Sequence, residues 1–163
     1  MSLLQANTIT LDHLLPVRLM DELRMLGRIT HYFDKQLIQQ RGDQNVGISI
    51  LESGQAVAGN VGADGVFLTS TLLGPGECFG EFTLFAQLPR THDLWALGET
   101  AIFHIKGADF LEIFDREPVI ARALLTITLR RNHELLEFVD AQRRLPLNVR
   151  TIKNIARINH GNH

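Results

Sequence analysis

Between Ile29 and Ile105 the chain carries turn-forming residues about every ten positions: Gly42-Asp43, Ser53-Gly54, Asp64-Gly65 and Gly74-Pro75-Gly76. Glycine supplies the positive φ of a tight turn and aspartate bonds its own backbone, so each group ends one short extended run and opens another. Between and beyond them lie Ile48 to Leu51, Gln55 to Val61, Val66 to Thr69, Leu94 to Leu97 and Ala101 to Ile105. Short runs at this spacing, with partial alternation of apolar and polar residues, predict a small antiparallel β-roll.

Helical periodicity flanks the roll on both sides. Leu15, Leu19, Leu23 and Leu26, with Met20, lie three and four apart, so residues 11–29 predict one or two short helices, with Pro16 near a start and Gly27 near a stop. Ala108 to Phe114 predicts another short helix. Pro118 suits the first turn of the next, which can run to about Arg144 before Leu145-Pro146 stops it. Such a helix is about 39 Å long at 1.5 Å per residue, more than is needed to cover one face of a domain this size. It carries two apolar stripes: Ile120, Leu124, Ile127 and Phe138, and Ala121, Leu125, Leu135 and Val139. The second follows an a/d-like spacing through Thr128 and Asn132, so one stripe is expected on the roll and the other on a second copy of the chain.

Composition narrows the class. With 163 residues, 45% hydrophobic and 21% charged, the chain is long enough for a core of its own and too apolar for a disordered tail. Its longest apolar stretch, Ala121 to Leu129, is interrupted by Arg122 and falls short of the roughly 20 residues of a membrane span. No basic segment precedes an apolar one at the start, so no secretory signal and a cytoplasmic location are expected. A single cysteine, Cys78, excludes an internal disulfide, and a buried inert thiol is the expectation for it. The seven histidines form neither His-x-His nor His-Glu-x-x-His, no serine sits in a Gly-x-Ser-x-Gly elbow, and neither a metal site nor an enzyme is expected. Trp95 is expected in the core. Residues 1–129 hold 9 basic and 15 acidic side chains, whereas residues 130–163 hold 7 and 3. That basic end is compatible with nucleic acid or with a solvated helix face.

The chemistry gathers in Leu72 to Thr91, LLGPGECFGEFTLFAQLPRT. A tight Gly-Pro-Gly turn leads to Gly80 and then to a short helical turn, Phe82 to Phe85, whose first backbone N–H groups lack partners. Arg90 follows ten residues after Gly80, and Thr91 adds a hydroxyl. Arginine presents a fixed fork of donors that matches two phosphate oxygens. Glu81 beside that cradle is an acceptor, suited to a neutral hydroxyl on the same ligand.

These residues, Phe79-Gly80-Glu81-Phe82-Thr83-Leu84 followed by Pro89-Arg90-Thr91, closely resemble the phosphate-binding cassette of cyclic-nucleotide-binding domains in Crp/Fnr-type transcription regulators. The resemblance runs from about residue 14 to 157, through Arg41-Gly42-Asp43, Leu51-Glu52-Ser53-Gly54, Leu97 to Ala101, Ala108-Asp109-Phe110 and Glu117-Pro118. It implies a mostly β fold with flanking helices, a jelly-roll-like or double-stranded β-helix roll, and a long C-terminal dimerisation helix. It divides the chain into residues 1–117 (helices and roll), 118–145 (dimerisation helix) and 146–163 (the start of an incomplete DNA-binding domain). It implies that Glu81 accepts a ribose 2′-hydroxyl, that Arg90 and Thr91 hold the cyclic phosphate of cAMP or cGMP, and that Gly80, Phe82 and Thr83 lend backbone. No other cofactor and no metal is implied.

Three departures mark this chain. The small residue expected after Thr91 is His92, followed by Asp93; the glycine expected in the strand around Phe33 to Ile38 is missing; and the helix region expected to meet the purine reads Leu135-Leu136. Thr128, Asn132 and His133 are the polar candidates there. Leu145 to Ile158 predicts an amphipathic helix with Arg150, Lys153 and Arg157 outside, and the chain stops before any DNA-reading helix. DNA is therefore an expected partner only of a longer protein. The competing expectation is a ligand-free dimerisation module, in which Arg90 pairs with Glu81, His92 or Asp93.

Overall fold

The computed structural model describes residues 8–144. The order is α1 (Leu11–Leu14), α2 (Val17–Leu26), β1 (Arg28–Tyr32), β2 (Leu37–Gln39), β3 (Gly47–Val61), β4 (Phe67–Leu73), β5 (Cys78–Phe79), α3 (Glu81–Ala86), β6 (Asp93–Lys106), α4 (Gly107–Arg116) and α5 (Pro118–Arg143). All strands join one antiparallel sheet in the order β1-β6-β3-β4, with β2 also on β6 and β5 also on β3. The expected mostly β roll with flanking helices and a long C-terminal helix is the fold observed.

Two long strands form its frame, where the sequence suggested four short ones. Ser53-Gly54, expected as a turn, lies inside β3, and the β3–β6 register shifts on both sides of Ser53. Gly54 has φ +82°, and a Cβ there would stand 2.3 Å from the Glu99 carbonyl oxygen. The glycine therefore makes a corner within a strand, where β3 crosses β6 too closely for a side chain.

Alternation along these strands divides the core in two. Ile48, Ile50, Phe103 and Ile105 face the helices and join Leu19, Leu23, Phe110, Ile113, Ile120 and Ile127 in one cluster. Leu51, Ala56, Leu94 and Ile102 point the other way, into the roll with Leu73. Each fully buried side chain of this kind contributes about 1.5–3 kcal/mol, which ties α2, α4 and the start of α5 to the sheet. Trp95, expected in the core, is only half-buried, because the buried face of β6 there belongs to Leu94 and Ala96.

α5 begins at Pro118, whose missing N–H is harmless in a first turn. Its buried residues are Ile120, Ala123, Leu124 and Ile127. Phe138, assigned above to that stripe, is exposed, because the helix has by then run past the body it packs on. Leu125, Leu129, Leu135 and Leu136 are exposed as well. The expected helix from Leu145 to Ile158, and with it residues 146–163, lies outside the described residues. Among those described, no helix is long and apolar enough to cross a membrane.

Candidate functional site

α3 is pinned to the core by Leu84, while Phe85 packs at its edge on Phe114 with ring centres 4.9 Å apart. Its N-cap is Gly80, with φ +108° and ψ −3°, a conformation that glycine alone enters freely. A Cβ on Gly80 would stand 2.4 Å from Nη1 of Arg90 and 2.4 Å from the Gly47 carbonyl oxygen. The backbone at the start of α3 therefore lies directly on the Arg90 guanidinium.

Arg90 is only 9% exposed. Its backbone N–H donates to the Asp43 carbonyl at 3.0 Å, and its carbonyl accepts from Gly42 N–H at 2.8 Å, so the Arg41-Gly42-Asp43 turn clamps it in place. Nη2 donates to the carbonyls of Asn45 (3.1 Å) and Gly47 (3.3 Å). Burial pushes the guanidinium below its ordinary value, and the charges of Glu81 and Asp43 oppose that shift. Arginine stays cationic through such a shift, and among the described residues its Nη1 and Nε donors have no hydrogen-bond partner, which leaves them for another acceptor.

Glu81 is met by a residue outside the cassette. Arg131 of α5 places Nη1 3.4 Å from Glu81 Oε1 and Nη2 3.3 Å from the Cys78 carbonyl, with Glu77 at 3.9 Å. The second carboxylate oxygen, Oε2, is buried with no hydrogen-bond partner among the described residues, and so is the Thr83 hydroxyl. Burial raises the Glu77 carboxyl, against the Gly74 N–H and Arg131 that favour its charge. Cys78 is buried and pushed up to about 12, first by desolvation and then by Glu81, which agrees with the inert thiol expected of it.

Of the residues named from sequence, Gly80, Glu81, Thr83 and Arg90 come together beneath one turn, and Phe82 sits exposed on its outer side. Thr91 is exposed next to them, with its hydroxyl 2.8 Å from Nδ1 of His92. Thr128, Asn132 and His133 are exposed on α5, and His133 pairs there with Glu137 at 3.7 Å. The α5 residue that reaches the cassette is Arg131. It continues the spacing of Ile120, Leu124 and Ile127, so an arginine on a buried helical stripe was the available signal. Arg90 makes none of the pairings expected of the ligand-free module, yet Glu81 is not free either.

A second polar cluster lies beside Arg90. His104 of β6 contacts the Ser49 hydroxyl through Nδ1 at 2.6 Å and the Tyr32 hydroxyl through Nε2 at 2.9 Å. Burial, and then the Arg90 charge, lowers His104 below its ordinary value of 6.5. The folded protein thus binds this proton less readily than the unfolded chain, and stability should be lost as pH falls below about 6.5. Urea unfolding near pH 7.5 and 5.5 should show that loss, and a His104→Asn variant should show less of it. An equal loss in the variant would assign the effect to another group.

The sequence profile of the family described as "Cyclic nucleotide-binding domain" matches residues 29–117. The chain belongs to this family. The cyclic nucleotide-binding domain so defined contains Gly80, Glu81, Arg90 and Thr91, and ends where α5 begins, so Arg131 lies outside it. A curated relative, the cyclic AMP receptor protein of Thermus thermophilus, is 29% identical over 70% of this chain, which spans 58% of the relative's length. The crystal structure of the Thermus thermophilus catabolite activator protein superposes with a TM-score of 0.71 at 26% identity, over 79% of this chain and 61% of the other. The N-terminal domain of a Streptomyces coelicolor transcriptional regulator, at 24% identity, shares the fold with a TM-score of 0.61 over 77% of this chain and 87% of its own.

Proposed function

We propose that this chain is the ligand-sensing part of a Crp/Fnr-type transcription regulator, taking a cyclic nucleotide at the cassette and relaying it through α5. The observation that carries this reading is the buried Arg90 guanidinium under Gly80, with Glu81 Oε2 unpaired beside it. One cation with donors to spare matches the single charge of a cyclic phosphodiester, and one unpaired carboxylate oxygen matches a ribose hydroxyl. Gly80, Phe82, Thr83 and Thr91 complete the set around the phosphate, with either cAMP or cGMP as ligand. Thr128, Asn132 and His133 remain the candidates for the base.

Arg131 supplies the relay. It ties α5 to Glu81, so a ligand hydroxyl that takes Glu81 changes what holds this helix. Such a ligand shifts the helix only by as much as its contacts differ between the two arrangements. The exposed leucines of α5 are assigned to a homodimer contact over residues 118–145, in the cytoplasm, with DNA a partner only where a DNA-reading domain accompanies the chain. No catalysis is proposed.

A second reading, a ligand-free dimerisation module, is favoured by one observation: Glu81 and Glu77 already share Arg131. Calorimetric titration of the purified chain with cAMP, and with cGMP in parallel, decides between the two. Saturable binding of either nucleotide is the expected result. Absence of heat with both, in a chain shown to be folded, would leave the assembly module.

A further inference from the structure

The structure places an ionisable side chain on the hydroxyl that the proposed site turns toward its phosphate. Nδ1 of His92 is 2.8 Å from the Thr91 hydroxyl. The pair is held from several sides. The Gln39 side chain on β2 donates to the His92 carbonyl at 3.2 Å, and the Asp93 carboxylate at the start of β6 accepts from Arg41 N–H at 2.7 Å. The Asn60 side-chain amide on β3, oriented to suit its neighbours, donates to the Thr91 carbonyl at 3.3 Å. The hydrogen bond between Nδ1 and the Thr91 hydroxyl can run in either direction, and in the neutral ring the tautomer decides which. When Nδ1 is bare it accepts the Thr91 proton, and the hydroxyl has none left to offer a ligand. When both ring nitrogens carry protons, Nδ1 can only donate, and the hydroxyl proton is released for another acceptor.

We propose that His92 is a further binding residue of the anion site: its protonated ring donates to Thr91, frees the Thr91 hydroxyl to donate to the ligand's phosphate, and adds a positive charge beside it. The inference rests on the cyclic-nucleotide reading and deepens it, making uptake of a singly charged phosphodiester pH-dependent.

The charged groups around the ring set the direction. Burial holds His92 below its ordinary value of 6.5; Arg41 from the β2–β3 loop acts in the same sense, and Asp93 opposes both. The Arg90 guanidinium lies in the same site, with the charges of Glu81 and of Asp43 in that loop acting on it. The ring is therefore neutral near pH 7.5 and gains its proton only below its ordinary value. A bound phosphate favours the charged ring and raises its titration midpoint, by linkage. The nucleotide's own phosphodiester does not titrate in this range, so the change in affinity belongs to the protein.

The test is calorimetric titration with cAMP and with cGMP near pH 5.5 and pH 8, on the native chain and on His92→Gln. The His92 ring is followed by NMR in parallel as sulfate is added. The native chain should bind its nucleotide about tenfold more tightly at the lower pH, the size of one gained charge-assisted hydrogen bond, and His92→Gln should bind with little pH dependence. Sulfate keeps its charge over this range and should raise the His92 midpoint. Nucleotide binding that ignores pH, or a slope that survives in His92→Gln, would overturn the inference and leave the cyclic-nucleotide reading standing. If neither nucleotide binds but sulfate raises the midpoint, that reading fails and His92 keeps its role toward an anion. No response to sulfate or to either nucleotide overturns both.

Discussion

An Arg90→Ala chain is expected to lose cyclic-nucleotide binding by at least about 100-fold, since a fork of two charge-assisted hydrogen bonds disappears at once. Its fold should suffer far less. Arg90 gives the carbonyls of Asn45 and Gly47 their Nη2 donors, and their loss costs stability. The same substitution removes a guanidinium that is itself expensive to bury, so the two effects largely offset. Glu81 keeps Arg131, and the clamp on Gly42 and Asp43 uses only the Arg90 backbone, which alanine retains. Arg90→Lys separates charge from geometry: a point charge attracts the phosphate but cannot hold two carbonyls and reach a ligand together. It should recover part of the affinity. Calorimetry paired with urea unfolding checks both variants. Native affinity in Arg90→Ala would move the binding site away from the cassette, whereas a chain that no longer folds would make Arg90 a structural residue.

What the sequence revealed of this site follows from how local each part is. Gly80, Glu81, Arg90 and Thr91 lie within twelve residues, and their order and spacing are themselves the signal. The partners that hold Arg90 are main-chain carbonyls of Asn45 and Gly47, a group that every residue type carries and that no side-chain pattern marks. Arg131 comes from a helix fifty residues away in the chain, and reads from its own surroundings as one more charge in a basic segment. Only the Ile120, Leu124, Ile127 spacing singles it out. The fold divides in the same way. Turn residues place most strand ends, yet Ser53-Gly54 reads as a turn, because a glycine bending a strand where another crosses it looks in sequence like one ending a strand. Phe138 shares the phase of the buried stripe yet is exposed, because helical phase does not tell where the packed body stops. Both errors concern what lies opposite a residue, which periodicity along one chain does not contain.

Gly80→Ala should be the more damaging single change at the cassette. Alanine at φ +108° costs about 1–2 kcal/mol in the backbone alone, and its methyl group has no room. The Arg90 guanidinium could swing aside, being the far end of a long side chain, but the Gly47 carbonyl oxygen at 2.4 Å belongs to β3 and cannot. Overpacking of that kind adds about 1–3 kcal/mol. A loss of about 2–5 kcal/mol is thus expected in urea unfolding, with nucleotide binding lost together with the Arg90 position. Gly98→Ala is the matched control: it also has φ +76°, but nothing lies within 4 Å of the added Cβ. It should show the backbone cost alone, about 1–2 kcal/mol, and bind as the native chain does. The difference between the two variants isolates the close contact of Gly80 with Arg90 and β3. If both lose the same stability and neither loses binding, the cassette backbone can move away from Arg90, and its tight fit on the guanidinium is not what holds the ligand.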